Sequence, residues 1–153
     1  LCGAVGEFAE INVAEKKVAK QSSIYNETSP KVKHFNASLA IDGNTETDFN
    51  QNSCSCTNPG DRSPWWSVDL KALYFIIGIR IYQRLDSHTE RLKGFTLVGV
   101  HANGSNETIQ TPQPYHAGEI VISLSPPRLL KEIRVHLNHS DKPEGPIITL
   151  CEV

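Results

Sequence analysis

A period of two runs through this chain and restricts its fold more than any other feature. In the stretch 77–82, Ile77, Ile79 and Ile81 fall on one side of an extended backbone, while Gly78, Arg80 and Tyr82 fall on the other. Successive side chains of a strand point to opposite faces, so such a stretch reads as a half-buried strand. Ile120, Ile122 and Leu124 repeat the pattern, as do Ile133, Val135 and Leu137. Two more runs, GFTLVGV at 94–100 and IITLCEV at 147–153, are rich in β-branched or aromatic residues and set off by Gly, Pro, Asn and Ser. No long helical period competes. Short strands divided by turn signals predict an all-β domain of two antiparallel sheets packed face to face, a β-sandwich or jelly roll whose end loops carry function. A length of 153 residues suits one such domain with its own core. Residues 1–11 are weakly patterned and read as an N-terminal arm, with the domain proper at 12–153.

The formal charge of −2 is mixed along the whole chain, with no basic stripe or acidic tail, which argues against nucleic acid or a charged membrane surface as partner. No apolar run approaches the roughly 20 residues that span a bilayer, so membrane insertion is not expected. The chain begins at Leu1 and contains no methionine, as a processed, mature product would. Five N-glycosylation triplets, at Asn26, Asn36, Asn103, Asn106 and Asn138, point to export. Ten asparagines beside 22 Ser and Thr would give about one or two by chance. A secreted, extracellular protein is therefore expected.

Four cysteines, Cys2, Cys54, Cys56 and Cys151, permit three disulfide pairings. Joining Cys54 to Cys56 closes a ring too small for normal disulfide geometry. Each of the two remaining pairings ties the middle of the chain to its ends; Cys54 with Cys151, and Cys2 with Cys56, is preferred. The C-x-C spacing has no second Cys or His pair to make a zinc site.

Two polar constellations carry chemistry. AIDGNTETDFNQNSC at 40–54 gathers Asp42, Asn44, Glu46, Asp48 and Ser53 around Gly43. Hard cations take six to eight oxygens of these types, although a turn built on Asx hydrogen bonds has the same composition. QRLDSHTERLK at 83–93 follows a strand and places Arg84, Asp86 and Arg91 together. Two residues apart on extended backbone, Arg84 and Asp86 project to one side, and a carboxylate so placed can hold a guanidinium still. A guanidinium is a planar, permanently charged fork of donors suited to carboxylates, phosphates or neighbouring sugar hydroxyls. The competing explanation is an exposed ion pair worth at most about 1 kcal/mol. Nothing points to catalysis: G-x-S-x-G, H-E-x-x-H and a glycine-rich phosphate loop are all absent. Trp65 and Trp66 could stack on a sugar, but beside Val68 and Leu70 at least one belongs to the core. His136 lies opposite the apolar face of its strand and is expected in solvent, and His139 falls within a sequon.

Taken in order, NVAEKKVAKQSS, LAIDGNTETDF, SC, PWWSVDL, RLDSHTER and LCEV make the chain resemble the F-type lectins, the fucose-binding family known from eel agglutinin, from about Asn12 to Val153. The resemblance implies a discoidin-like β-sandwich jelly roll. It also implies a structural calcium (Ca2+) on the carbonyls of Leu39 and Cys151 with Asp42, Asn44, Ser53 and Glu152, beside a Cys54–Cys151 bridge. In such a lectin a histidine and two arginines donate hydrogen bonds to fucose while apolar atoms meet its methyl group. Arg84 and Arg91 match the arginines, Asp86 the aspartate that orients the first, and Phe49 a position on the apolar wall. The chain departs from the pattern at two places. Cys56 stands where the histidine is expected, and Ser87 and His88 occupy the loop where the family has adjacent cysteines. Loss of one donor costs about 1 to 2 kcal/mol, about five- to thirty-fold in affinity, unless His88 substitutes as donor. The resemblance thus implies a non-catalytic, calcium-containing lectin for fucosylated glycans or glycoproteins, with a trimer as its plausible assembly. The alternative is a lectin-derived interaction domain with a rebuilt pocket, its N-terminal arm joined to the rim through Cys2 and Cys56.

Overall fold

A computed structural model of the chain describes residues 10–28, 33–110, 118–138 and 145–153. Among these the regular structure is β, apart from two 3-10 turns at Ala37–Ala40 and Phe49–Gln51. In chain order the strands are β1 (Val18–Gln21), β2 (Asn26–Glu27), β3 (Lys33–His34), β4 (Ser55–Cys56), β5 (Trp65–Gln83), β6 (Thr96–Val100), β7 (Asn106–Gln110), β8 (Glu119–His136) and β9 (Thr149–Glu152). They form one antiparallel ladder, β4-β9-β5-β8-β6-β7 with β1 also on β5, and a separate β2-β3 pair. The antiparallel all-β architecture is the one the alternation called for.

The long strands β5 and β8 make two layers out of one ladder. Between Asp69 and Tyr74 their register breaks, and Lys71 there takes a left-handed φ of 66°. The first half of β5 pairs with β1 and with β8 near Ile133–His136, while the second half pairs with the start of β8 and with β9. Side chains from both halves, Trp66, Val68 and Leu70 before the break and Ile79 and Ile81 after it, share one core with Leu97, Leu130, Val135, Ile148 and Leu150. That shared burial is what turns a bent ladder into a sandwich. Trp66 is wholly buried and donates its indole N–H to Ala37 O at 3.0 Å, which places it in the core.

Three sequence expectations shift in detail. The strand carrying the IIGIRIY run begins at Trp65, joining PWWSVDL to it. A second register irregularity, between Ile76 and Gly78, turns Ile76 inward and leaves Ile77 56% exposed, whereas Ile79 and Ile81 are buried as the alternation requires. A β-bulge inserts extra backbone on one strand and so reverses the phase of a period-two pattern. His136 is half-buried rather than fully in solvent, and burial followed by the charge of Arg134 holds its pKa below the usual histidine value.

Among the described glycines, Gly99 leaves the least room for a side chain. A Cβ there would stand 2.8 Å from both methyls of the fully buried Leu130 and 3.0 Å from the Ile109 methyl. Gly99→Ala should therefore destabilise the fold by about 1 to 2 kcal/mol through overpacking. In a chain of this size that corresponds to a fall of about 3 to 6 °C in thermal melting.

Candidate functional site

A cleft of about 270 Å³ opens at one end of the sandwich, lined by Tyr25, Glu27 and Lys33 of the β2-β3 hairpin, Phe49, Asn50, Cys56 and Pro59, and Arg84, His88 and Arg91 of the loop after β5. Its floor is an apolar cluster separate from the main core: Phe35, Phe49, Cys54, Cys56, Ile147 and Cys151, with Tyr25 and Tyr82 packed against it. The hairpin is fastened to β4 by backbone bonds from Tyr25 N to Cys56 O (2.9 Å) and from Cys56 N to Phe35 O (3.1 Å). A disulfide joins Cys54 to Cys151 and ties the end of the polar loop to β9. Cys56 is buried and has no disulfide partner among the described residues; its expected partner Cys2 lies outside them.

The arginine loop is clamped to the polar loop before any ligand is considered. Leu85 N donates to Thr47 O at 3.1 Å, and Phe49 N donates to Asp86 Oδ1 at 3.0 Å. Asp86 then holds Arg84 through two parallel bonds, Nε to Oδ1 at 2.8 Å and Nη2 to Oδ2 at 2.6 Å. With side chains only 11% and 20% exposed, the pair is a partly buried, two-pronged clamp and not the exposed ion pair of the competing reading. The hydrogen bonds from Arg84, helped by the Phe49 N–H and opposed by desolvation, hold the Asp86 carboxyl well below the usual carboxylate range. The Arg84 guanidinium carbon sits 4.2 Å from the centre of the Phe49 ring, and Phe35 stacks on Phe49 at 4.2 Å. At those distances the two cannot share a side, so both faces of Phe49 are covered and only its edge can meet a ligand. Phe49 acts first as the platform that fixes Arg84.

Arg91 reaches the cleft because its neighbours Leu92 and Phe95 are anchored in the main core. Its Nη1 lies 3.4 Å from Thr149 Oγ1 and 4.0 Å from Cys56 Sγ, and its buried Nε has no partner among the described residues. Its donor capacity is thus weakly used. Cys56 lines the cleft but is only 2% exposed, so its sulfur offers a ligand little surface. Burial pushes its thiol pKa up against the Thr149 hydroxyl and the charges of Arg91 and Arg84, which keeps it neutral near physiological pH. His88 lines the cleft in a left-handed conformation, φ 50°, with Nδ1 3.0 Å from Ser87 Oγ. Arg84, His88, Arg91 and Phe49 are therefore brought to one cleft with Asp86 behind them.

The polar loop is a succession of Asx-type turns in which Asp42, Asn44, Glu46 and Asp48 each accept the backbone N–H two residues on. Ser53 Oγ donates to Asp48 O at 3.1 Å, and Leu39 lies within the first 3-10 turn. Glu152, next to Cys151 on β9, accepts from Gly43 N at 3.2 Å and from Asn12 Nδ2 at 3.5 Å. It is 3% exposed, and burial, reinforced by the nearby charges of Asp42 and Glu15, pushes its pKa up to about 7. Among the described residues no three His, Cys, Asp or Glu side chains converge on a metal position. The expected calcium set contains just two carboxylates, Asp42 and Glu152, with amide, hydroxyl and carbonyl oxygens making up the remainder.

Sequence reasoning missed Tyr25, Glu27, Lys33, Asn50 and Pro59. β2 and β3 are two polar residues each, too short to show a period, so nothing signals that they fold over the cleft. All five sequon asparagines are exposed.

Residues 39–135 match a family model described as a NedA-like, galactose-binding domain. Fucolectin-3 of Anguilla japonica is 36% identical over 151 residues, covering 95% of this chain and 79% of that protein. The crystal structure of an F-lectin (fucolectin) from Morone saxatilis (striped bass) serum superposes with a TM-score of 0.77 at 34% identity, over 92% of this chain and 46% of that one. A Streptococcus pneumoniae fucose-binding module, SpX-3, superposes with a TM-score of 0.79 at 26% identity, over 94% of this chain and 95% of that one.

Proposed function

The chain belongs to the fucolectin, or F-type lectin, family, and from that premise we propose that it binds fucosylated glycans in the cleft between Arg84 and Arg91, without catalysis. The observation that carries the reading is the convergence of two guanidinium groups on one cleft, the first locked by Asp86 and Phe49, the second with donors to spare. Such donors suit the hydroxyls of a sugar, and the aromatic and apolar floor suits the methyl group of a deoxy sugar. Preorganisation supports affinity, because neither the guanidinium of Arg84 nor its loop must be ordered on binding. The missing histidine lowers the expected affinity of a single site, as Cys56 is too buried to take its place.

In this reading the polar loop would hold a structural calcium. The donor set is all oxygen, and Glu152 is buried beside Asp42 and Glu15 in a way that a hard cation would relieve. Asp42, Asn44, Ser53 and Glu152, with the carbonyls of Leu39 and Cys151, are the residues that would carry it. When bound, the ion would supply fixed positive charge that braces the loop, and no bond-making chemistry. Secretion and N-glycosylation are supported by the Cys54–Cys151 bridge, the exposed sequons and the serum origin of the striped bass lectin. No helix among the described residues is long and apolar enough to cross a membrane.

The test is a glycan array followed by titration. Saturable binding of fucosylated glycans, displaced by free L-fucose, is the expected result. Binding of a protein or other small ligand that survives excess L-fucose, with a flat array, would instead support the interaction-domain alternative.

A further inference from the structure

We infer that the side chains of Asp86, Ser87 and His88 form a proton-ordered relay that makes His88 a hydrogen-bond acceptor in the cleft, so that the ligand must present a hydroxyl that donates to it. The inference rests on the reading of the cleft as a glycan site and specifies the polarity of that site. It reverses the expectation that His88 substitutes as a donor.

The order of protons follows from counting. Ser87 Oγ stands 3.1 Å from Asp86 Oδ2 and 3.0 Å from His88 Nδ1, and a hydroxyl has a single proton to give. Asp86 is bound at both oxygens by Arg84 and at Oδ1 by the Phe49 N–H, so it is a carboxylate and can only accept. If Ser87 gave its proton to His88, its oxygen would face a carboxylate oxygen at 3.1 Å with no hydrogen between them. If Ser87 gives its proton to Asp86, that bond is charge-assisted, and the serine oxygen accepts from His88 Nδ1–H. The second arrangement satisfies all three groups. A neutral imidazole with its proton on Nδ1 has a bare Nε2, the nitrogen not used by the relay.

The cleft then offers both polarities: guanidinium donors from Arg84 and Arg91, and an acceptor from His88. The ligand class it fits is a sugar with several hydroxyls, some accepting from the arginines and one donating its own O–H to Nε2. Ser87 and Asp86 are positioning residues here. They act through the tautomer of His88, and the left-handed backbone at His88 sets the ring's place in the loop.

Two measurements on the full chain test this. In a chain labelled with 15N-histidine, long-range proton–nitrogen correlation near neutral pH should show His88 protonated on Nδ1, and Ser87→Ala should shift it toward the Nε2-protonated form. If wild-type His88 carries its proton on Nε2, the inference is wrong. The second measurement uses mono-O-methylated L-fucosides, in which one oxygen can still accept but no longer donate. Methylation at one position should weaken binding about ten-fold in wild type, and that penalty should disappear in His88→Ala. Equal penalties in wild type and His88→Ala at every position would overturn the assignment of an acceptor. Should no L-fucoside bind wild type at all, the glycan reading itself falls, while the spectrum still reports whether the relay exists.

Discussion

Arg84→Ala should weaken binding of fucosylated glycans by about a hundred-fold, and calorimetric titration of wild type and variant against one fucosylated oligosaccharide would measure it. The size follows from what the side chain does at once. It would supply charge-assisted hydrogen bonds to the sugar, each worth about 1.5 to 3 kcal/mol when its partner is left unpaired, and it covers one face of Phe49. Its removal also leaves Asp86, whose side chain is 20% exposed, with only the Phe49 N–H and Ser87 as described donors. A modest loss of stability should accompany the loss of binding, so titration belongs well below the melting temperature of the variant. Asp86→Asn separates the two effects, because it keeps a side-chain oxygen for the Phe49 N–H while removing the charge that holds Arg84. A smaller loss, about ten-fold, is expected there. The linkage has a definite sign. The carboxyl of Asp86 is held well below its unfolded value of about 3.9, so its contribution to stability is complete above that pH and is lost as the pH falls toward the folded value. The Arg84 clamp should thus persist in mildly acidic solution. Undiminished glycan binding by Arg84→Ala would remove the basis for placing the sugar in this cleft.

How far the sequence discloses this arrangement depends on the range of the interactions concerned. Alternation is local, so the buried faces of Ile79 and Ile81, of Ile133, Val135 and Leu137, and the all-β architecture can be read directly. The bulge that turns Ile77 outward involves pairing with β8, some fifty residues away, and leaves no mark in a stretch of alternating isoleucines. The Arg84–Asp86 clamp is legible for the same reason as the strands, since two residues along an extended backbone return to one side. Its burial is not, because the bonds that fix it come from Thr47 and Phe49 in another loop. Phe49 illustrates the limit: the family resemblance suggests an apolar wall, whereas the stacking of Arg84 and Phe35 on it depends on three segments meeting. The hairpin of Tyr25, Glu27 and Lys33 is invisible for lack of any period. The relay through Ser87 to His88 lies within three consecutive residues, yet its direction follows only from distances.

Calcium should raise the melting temperature of the chain by about 5 to 10 °C at pH 7.5, and a chelator should reverse the gain. A ligand bound only by the folded state stabilises it by about 2.7 kcal/mol at a hundred-fold excess over Kd, and a domain of this size gains about 2 to 4 °C for each kcal/mol. Glu152 supplies an independent check through its pH dependence. Its folded pKa, raised to about 7 by burial and by Asp42 and Glu15, lies above the unfolded value of about 4.3. The folded chain therefore holds more protons than the unfolded chain between those values, and without a cation its stability should fall as the pH rises through that interval. Calcium would replace the proton as the neutralising charge, so at saturating metal the decline should vanish. Glu152→Gln should likewise show little pH dependence in the interval, but with a much reduced response to calcium. The same residue ties the loop to the cleft, because Glu152 pairs with Tyr82, and Leu150 with Gln83, immediately before Arg84. Chelation should accordingly weaken glycan binding as well as stability, whereas Arg84→Ala should weaken binding by about a hundred-fold and leave the calcium response intact. A melting temperature indifferent to both calcium and chelator at pH 7.5 would show that Glu152 and the Asx turns hold this loop by hydrogen bonds alone.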